Sequence, residues 1–232
     1  MADQNLSGKT PAKPGAVLRR EREKRGWTLA DVSQRTGLNV STLSKVENDK
    51  IALTFDKLVR LSEGLSMDIT QLFGPSAPEA PRTDGGSRRS ITRAGEGKSI
   101  ETGIGNYLYV AAELLNKRIV PIIGDVFETD IANFGEFMRH PGEEYIYVIQ
   151  GTLDLYTEAY TPARLETGDS VYFDSGMAHA YIRVGDEPCR ILSICATSGA
   201  DRILPLEALV GAPKEEVEPM PARRKAVKRA GK

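Results

Sequence analysis

Residues 28–50, TLADVSQRTGLNVSTLSKVENDK, decide how the first third of the chain folds. Thr28 suits a helix N-cap, and Asp31 three positions on places a carboxylate at the positive end of that helix. Leu29, Ala30 and Val32 are expected to face inward. Gly37 supplies a turn, and after Leu38 and Asn39 the apolar residues Val40, Leu43 and Val46 recur at helical spacing. Ser41, Ser44, Lys45 and Asn48 remain on the outer face of this second helix. The reading is therefore two short helices joined by a tight glycine turn.

The neighbouring sequence extends this pattern into a bundle. Pro14-Gly15 opens a preceding helix, AVLRREREKRG, where proline suits the first turn, and Gly26 ends it. On the other side, TFDKLVRLSEGL carries Leu58 and Leu61 as its inner stripe, and Asp68 caps a short DITQLF. Residues 14–74 thus read as a five-helix bundle. Residues 75–90, PSAPEAPRTDGGSRRS, hold three prolines and two glycines with almost no large apolar group, which predicts a flexible linker. From residue 91 to 200 the period changes. NYLYVAAE, EYIYVIQG, DSVYF and ILSICAT, separated by glycine turns, read as strands of an all-β sandwich or barrel. Residues 201–232 form a C-terminal segment and basic tail.

Composition agrees with a two-domain chain, one α and one all-β. Its 232 residues, 40% hydrophobic and 27% charged, fit an ordinary globular protein. No apolar run approaches the ~18 residues of a transmembrane helix, and the first residues lack the apolar core of a secretory signal, so a cytoplasmic location with no membrane partner is expected. The net charge of −1 conceals an uneven distribution. Residues 1–74 carry twelve Lys/Arg against nine Asp/Glu, and RRKAVKRAGK at the end carries six basic side chains and no acid. A basic reader joined to a more acidic module fits that division. Cys189 and Cys195, six residues apart, fall on one face of one strand and are expected to be core residues and not a disulfide.

The segment 28–50, with the helix before it, resembles the Cro/CI-type (XRE family) helix-turn-helix of phage repressors and bacterial regulators. The shared features are Ala30 at the helix crossing, Gly37 at the turn, Leu43 and Val46 in the core, and Glu47-Asn48 closing the second helix. The resemblance implies double-stranded operator DNA as partner, with the second helix in the major groove. Asn39, Val40, Ser41 and Lys45 then lie where this family meets base edges, and Asn48 and Lys50 lie near phosphates. Lysine can donate to guanine, valine can touch a thymine methyl, and Ser41 or Thr42 can bond base or backbone. Thr28 and Ser44 complete the expected DNA-facing set. One helix reads few base pairs, so a homodimer is expected, with the β domain as its dimerisation surface.

The chain's two histidines fall in segments that resemble the paired cupin motifs. MRHPGEEYIYVIQG keeps His140, Glu144 and Gly151, and GDSVYFDSGMAH keeps Gly168, Gly176 and His179. The resemblance implies a cupin-type jelly-roll barrel. The departures are Met138 where a metal-binding cupin has a further histidine, Asp174 where proline is common, and Arg183 where asparagine is common. His140, Glu144 and His179 would make a two-histidine, one-carboxylate face for a divalent metal. Alternatively, the cavity takes an organic small-molecule effector. Alternation directs Met138 and Glu136 inward beside His140, and sets Tyr181 and Arg183 on the face of His179, where arginine would suit an anion.

These readings converge on a non-enzymatic transcription regulator, expected as a repressor or dual regulator, whose cupin domain senses an effector. A metal-dependent cupin enzyme carrying a DNA-binding appendage is the alternative.

Overall fold

A computed structural model of the chain describes residues 12–74 and 88–196. Residues 75–87 of the expected linker, 197–200 of the expected β domain and the whole segment 201–232 lie outside the described residues.

The N-terminal part contains α1 (Pro14–Lys24), α2 (Leu29–Thr36), α3 (Val40–Glu47) and α4 (Phe55–Gly64), followed by a 3-10 helix, Ile69–Phe73. These are the five expected helices, the last wound more tightly. Pro14 occupies the first turn of α1. Thr28 forms a reciprocal capping box with Asp31, the hydroxyl accepting from the Asp31 amide at 3.2 Å while the Thr28 amide donates to the carboxylate at 2.7 Å. Gly37 ends α2 in the left-handed conformation, φ 67°. Leu18, Val32, Leu43, Val46, Leu58 and Leu61 fill the interior.

Ala30 departs from expectation. It is exposed, while Val32 is buried and Leu29 half-buried. The close helix approach lies elsewhere: a Cβ on Gly15 would stand 2.0 Å from the Val46 carbonyl oxygen. Backbone contact between α1 and α3 therefore requires glycine at position 15.

The second part contains β1 (Lys98–Glu101), β2 (Gly105–Tyr109), β3 (Ile119–Val126), a single-turn α5 (Ile131–Phe134), β4 (Glu143–Gln150), β5 (Thr152–Thr157), β6 (Ala163–Glu166), β7 (Ser170–Asp174), β8 (His179–Arg183) and β9 (Cys189–Ala196). They form two antiparallel sheets, β1-β2-β3-β9-β4-β7 and β6-β5-β8, instead of one continuous closed barrel. A bridge between Met138 and His179 ties the chain before β4 to the smaller sheet. Period-two alternation sets the faces. On β4, Glu144, Ile146 and Val148 point inward and Tyr145, Tyr147 and Ile149 outward. On β9, Cys189 and Cys195 share the buried face as free thiols.

The helical and β parts share one apolar core. Leu43, Leu58, Leu72 and Phe73 belong to the same buried cluster as Ile100, Tyr109, Val120, Ile122 and Cys195. A separate cluster around Ile146, Leu153 and Ile191 fills the remainder of the sandwich. Two backbone donors join the parts: Ala12 N–H to the Ser99 carbonyl at 3.0 Å, and Asn116 N–H to the Asp68 carboxylate at 2.6 Å.

Candidate functional site

The outer face of α3 is open. Asn39, Val40, Ser41, Lys45, Asn48 and Lys50 are exposed, and Thr42 and Ser44 are partly so. Asn39 caps α3, its side-chain oxygen accepting from the Thr42 amide at 2.7 Å and the Ser41 hydroxyl at 2.8 Å. Thr28 likewise serves as the cap of α2. Asn48 bonds inward: its amide donates to the Ser44 carbonyl at 2.7 Å, and its oxygen accepts from Arg19 at 3.0 Å. Val40 and Ser41 are thus the outward groups in the first turn of the helix and Lys45 the outward group in its last turn, with Lys50 just beyond its end.

The inner face of α3 is anchored by a group that sequence reading missed. Glu47 is buried, and Arg22 on α1 grips it with two bonds, Nε to Oε1 at 2.7 Å and Nη2 to Oε2 at 2.8 Å. Arg22 also donates to the Trp27 carbonyl at 3.1 Å. The bond to Glu47 raises the guanidinium pKa despite the opposing cost of burial. This planar fork fixes α3 against α1. Its only sequence signal was a run of arginines that also reads as a solvated face.

In the β part, Met138, His140, Glu144, His179 and Tyr181 line one cavity, together with Tyr107, Ser193, Cys195 and Phe55. Arg183 is not among the lining residues. It lies at the other end of β8, bonded to the Asp186 carbonyl at 3.3 Å. The expected inward Glu136 is exposed.

Glu144 is the centre of the cavity. Its Oε2 lies 3.1 Å from His140 Nε2 and 3.5 Å from His179 Nε2, while Oε1 accepts from the Ser193 hydroxyl at 2.6 Å. Burial opposes its charge, but the bonds from His140 and Ser193 and the charge of both imidazoles outweigh this and hold the carboxyl below its usual range. Burial lowers the His179 pKa, with Glu144 opposing. The His179 Nδ1 lies 2.9 Å from the Met177 carbonyl, which can only accept, so Nδ1 carries the proton. The other ring nitrogen, Nε2, faces the Glu144 carboxylate at 3.5 Å. The Tyr181 hydroxyl is buried without a partner, and burial beside Glu144 raises its pKa well above the usual range.

Donor atoms of His140, Glu144 and Cys195 lie within 4.8 Å of one another. His140, Glu144 and Cys195 are thus the donor set that could hold a divalent metal; Cys195 stands where His179 was expected, and His179 lies 3.5 Å from Glu144 but outside this set. Cys195 had read only as core; its place on the inner face of β9, two residues from Ser193, brings its thiol to the cavity. Burial pushes that thiol well above its ordinary pKa, so it ligates only by losing its proton to metal binding. A mixed N, O and S set favours zinc or iron over magnesium. Bound there, such an ion would act as a Lewis acid or neutralise Glu144.

Two family models match, a helix-turn-helix over residues 18–72 and a cupin domain over residues 132–195. The chain thus carries a helix-turn-helix segment followed by a cupin segment. The helix-turn-helix model spans α1 to the 3-10 helix, and the cupin model includes both histidines. The HTH-type transcriptional regulator PuuR of Escherichia coli (strain K12) is 23% identical over 197 residues, 83% of this chain and 96% of that protein. A crystal structure of an HTH_3 family transcriptional regulator from Vibrio cholerae superposes with a TM-score of 0.53 at 17% identity, covering 81% of this chain and 97% of that one. The hydroxypropylphosphonic acid epoxidase from S. wedmorenis gives 0.41 at 20% identity, covering 81% and 99%.

Proposed function

We propose that this helix-turn-helix and cupin protein is a sequence-specific DNA-binding transcription regulator, controlled by a small molecule bound in the cupin domain. The observation that carries the reading is the division of α3: Val40, Ser41 and Lys45 face outward, while Leu43, Val46 and the Arg22-gripped Glu47 fix the opposite face. That is the arrangement needed to present one fixed face of α3 to base edges and phosphates. The regulator acts in the cytoplasm as a homodimer, two recognition helices meeting an inverted repeat about one DNA turn apart. Among the described residues no helix is long and apolar enough to cross a membrane. The test is titration of purified protein against inverted repeats flanking its own coding region. Binding that is indifferent to scrambling the repeat would overturn the reading.

A second reading, a metal-dependent cupin enzyme with a DNA-binding appendage, is supported by the His140, Glu144 and Cys195 donor cluster, with His179 3.5 Å from Glu144. Metal analysis of the purified protein separates the two. Stoichiometric iron or manganese, lost in His179→Ala together with a turnover of substrate, favours the enzyme. Operator binding that responds to a metabolite without turnover favours the regulator.

A further inference from the structure

The cupin cavity is lined in part by a residue of the helical part. Phe55, the first residue of α4, lines the cavity beside His140, Glu144 and His179. Its ring meets the His140 ring edge-on at 4.8 Å between centroids, with an interplanar angle of 89°, and lies near-parallel to Tyr109 at 6.4 Å. Phe73, from the 3-10 helix, packs on the same Tyr109 at 4.7 Å. Asp56, next to Phe55, is buried, and its charge reaches Tyr107 and His179. With Phe55 in place the free volume is about 30 Å³, room for about one water or an ion.

We infer that Phe55 is the lid of the effector site, and that an organic ligand in this cavity and docking of the helix-turn-helix domain exclude one another. This rests on the regulator reading and names how the site would act. A ligand larger than a water needs the volume the ring fills. The ring is held between His140 and Tyr109 in a core continuous across both domains, so its withdrawal opens that core and lifts α4. Binding energy gained in the cavity is thereby spent on undocking, and by reciprocity a partner that favours the docked state opposes the ligand. An ion or a water at Glu144 leaves Phe55 seated and does not switch the protein.

The test fills the cavity genetically and reads docking directly. The amides of Ala12 and Asn116 donate across the interface, so their hydrogen exchange in the full-length protein reports it. In Cys195→Phe the new ring competes with Phe55, and both amides are expected to exchange about tenfold faster or more, while amides within β4 and β9 keep their protection. Adding Phe55→Ala returns the volume, and the double variant is expected to recover wild-type protection. Unchanged exchange in Cys195→Phe overturns the inference. If that variant loses strand protection as well, the double variant decides: recovery supports the lid, and failure to recover overturns it. Operator titration of the wild type is scored separately, so loss of the regulator reading is told apart from loss of the lid.

Discussion

Lys45 and Glu47 stand two positions apart on α3 and have opposite tasks. Lys45 is exposed and outward. Lys45→Ala is expected to weaken specific binding by about 1–3 kcal/mol if the amine reads a base, or to lower the salt slope by about one if it meets a phosphate. Titration at several salt concentrations distinguishes the two, and no change in either removes Lys45 from the interface. Glu47 acts through its anchor. Removing Glu47 takes away the main partner of the part-buried Arg22, which keeps Glu23 and the Trp27 carbonyl, so Glu47→Ala is expected to cost roughly 1–3 kcal/mol of folding stability. Chemical denaturation checks it, and the Arg22→Met, Glu47→Leu double variant is expected to recover much of the loss. The helical period showed Glu47 near the end of α3. It did not show Arg22, because the partner lies 25 positions away in sequence.

At the level of elements, the α1–α3 crossing sets the pose of the recognition helix. Gly15→Ala would drive a methyl into the Val46 carbonyl, which is backbone and cannot swing aside. The expected outcome is displaced α3 and a loss of operator affinity larger than the loss of melting temperature. Equal losses would mean that Gly15 matters for stability alone. Leu43→Ala, by contrast, empties a fully buried site and is expected to cost about 2–5 kcal/mol of stability. Helix limits were legible from caps and glycines, since capping boxes and left-handed glycines are local. The crossing point was not: Ala30 read as the close contact, and Gly15 is the residue that makes it. A small residue in a sequence does not say which backbone it will meet.

Over the whole molecule, the outer face of the larger sheet is the surface on which the proposed homodimer would form. The pairing aligns Pro121, Ile194, Tyr145 and Tyr172 in one row, and Ile123, Leu192 and Tyr147 in the next. Tyr147 is 40% and Tyr172 61% exposed, unusual for large side chains in so continuous an apolar patch. Tyr147→Asp, in the middle of this face, is expected to shift the protein to a monomer in analytical ultracentrifugation and to weaken operator binding while leaving the fold intact. A dimer that persists unchanged places the interface elsewhere.

Local sequence was enough for the helices, the strand alternation and the two cupin segments with His140, Glu144 and His179, because caps, periods of 3.6 and 2, and short motif spacings all act between residues close along the chain. It also put Cys189 and Cys195 on one face, since six is a multiple of the strand period. Tertiary packing decided the rest. It brought the Cys195 thiol to the cavity, left Arg183 outside it, paired Arg22 with Glu47, and seated Phe55 of the recognition domain over the histidines. Each of these joins residues distant in sequence, and no local pattern encodes which apolar end of a bundle meets which end of a sandwich. The helix-turn-helix segment that fixed the fold of residues 28–50 thus held no sign that the next helix would close the other domain's cavity.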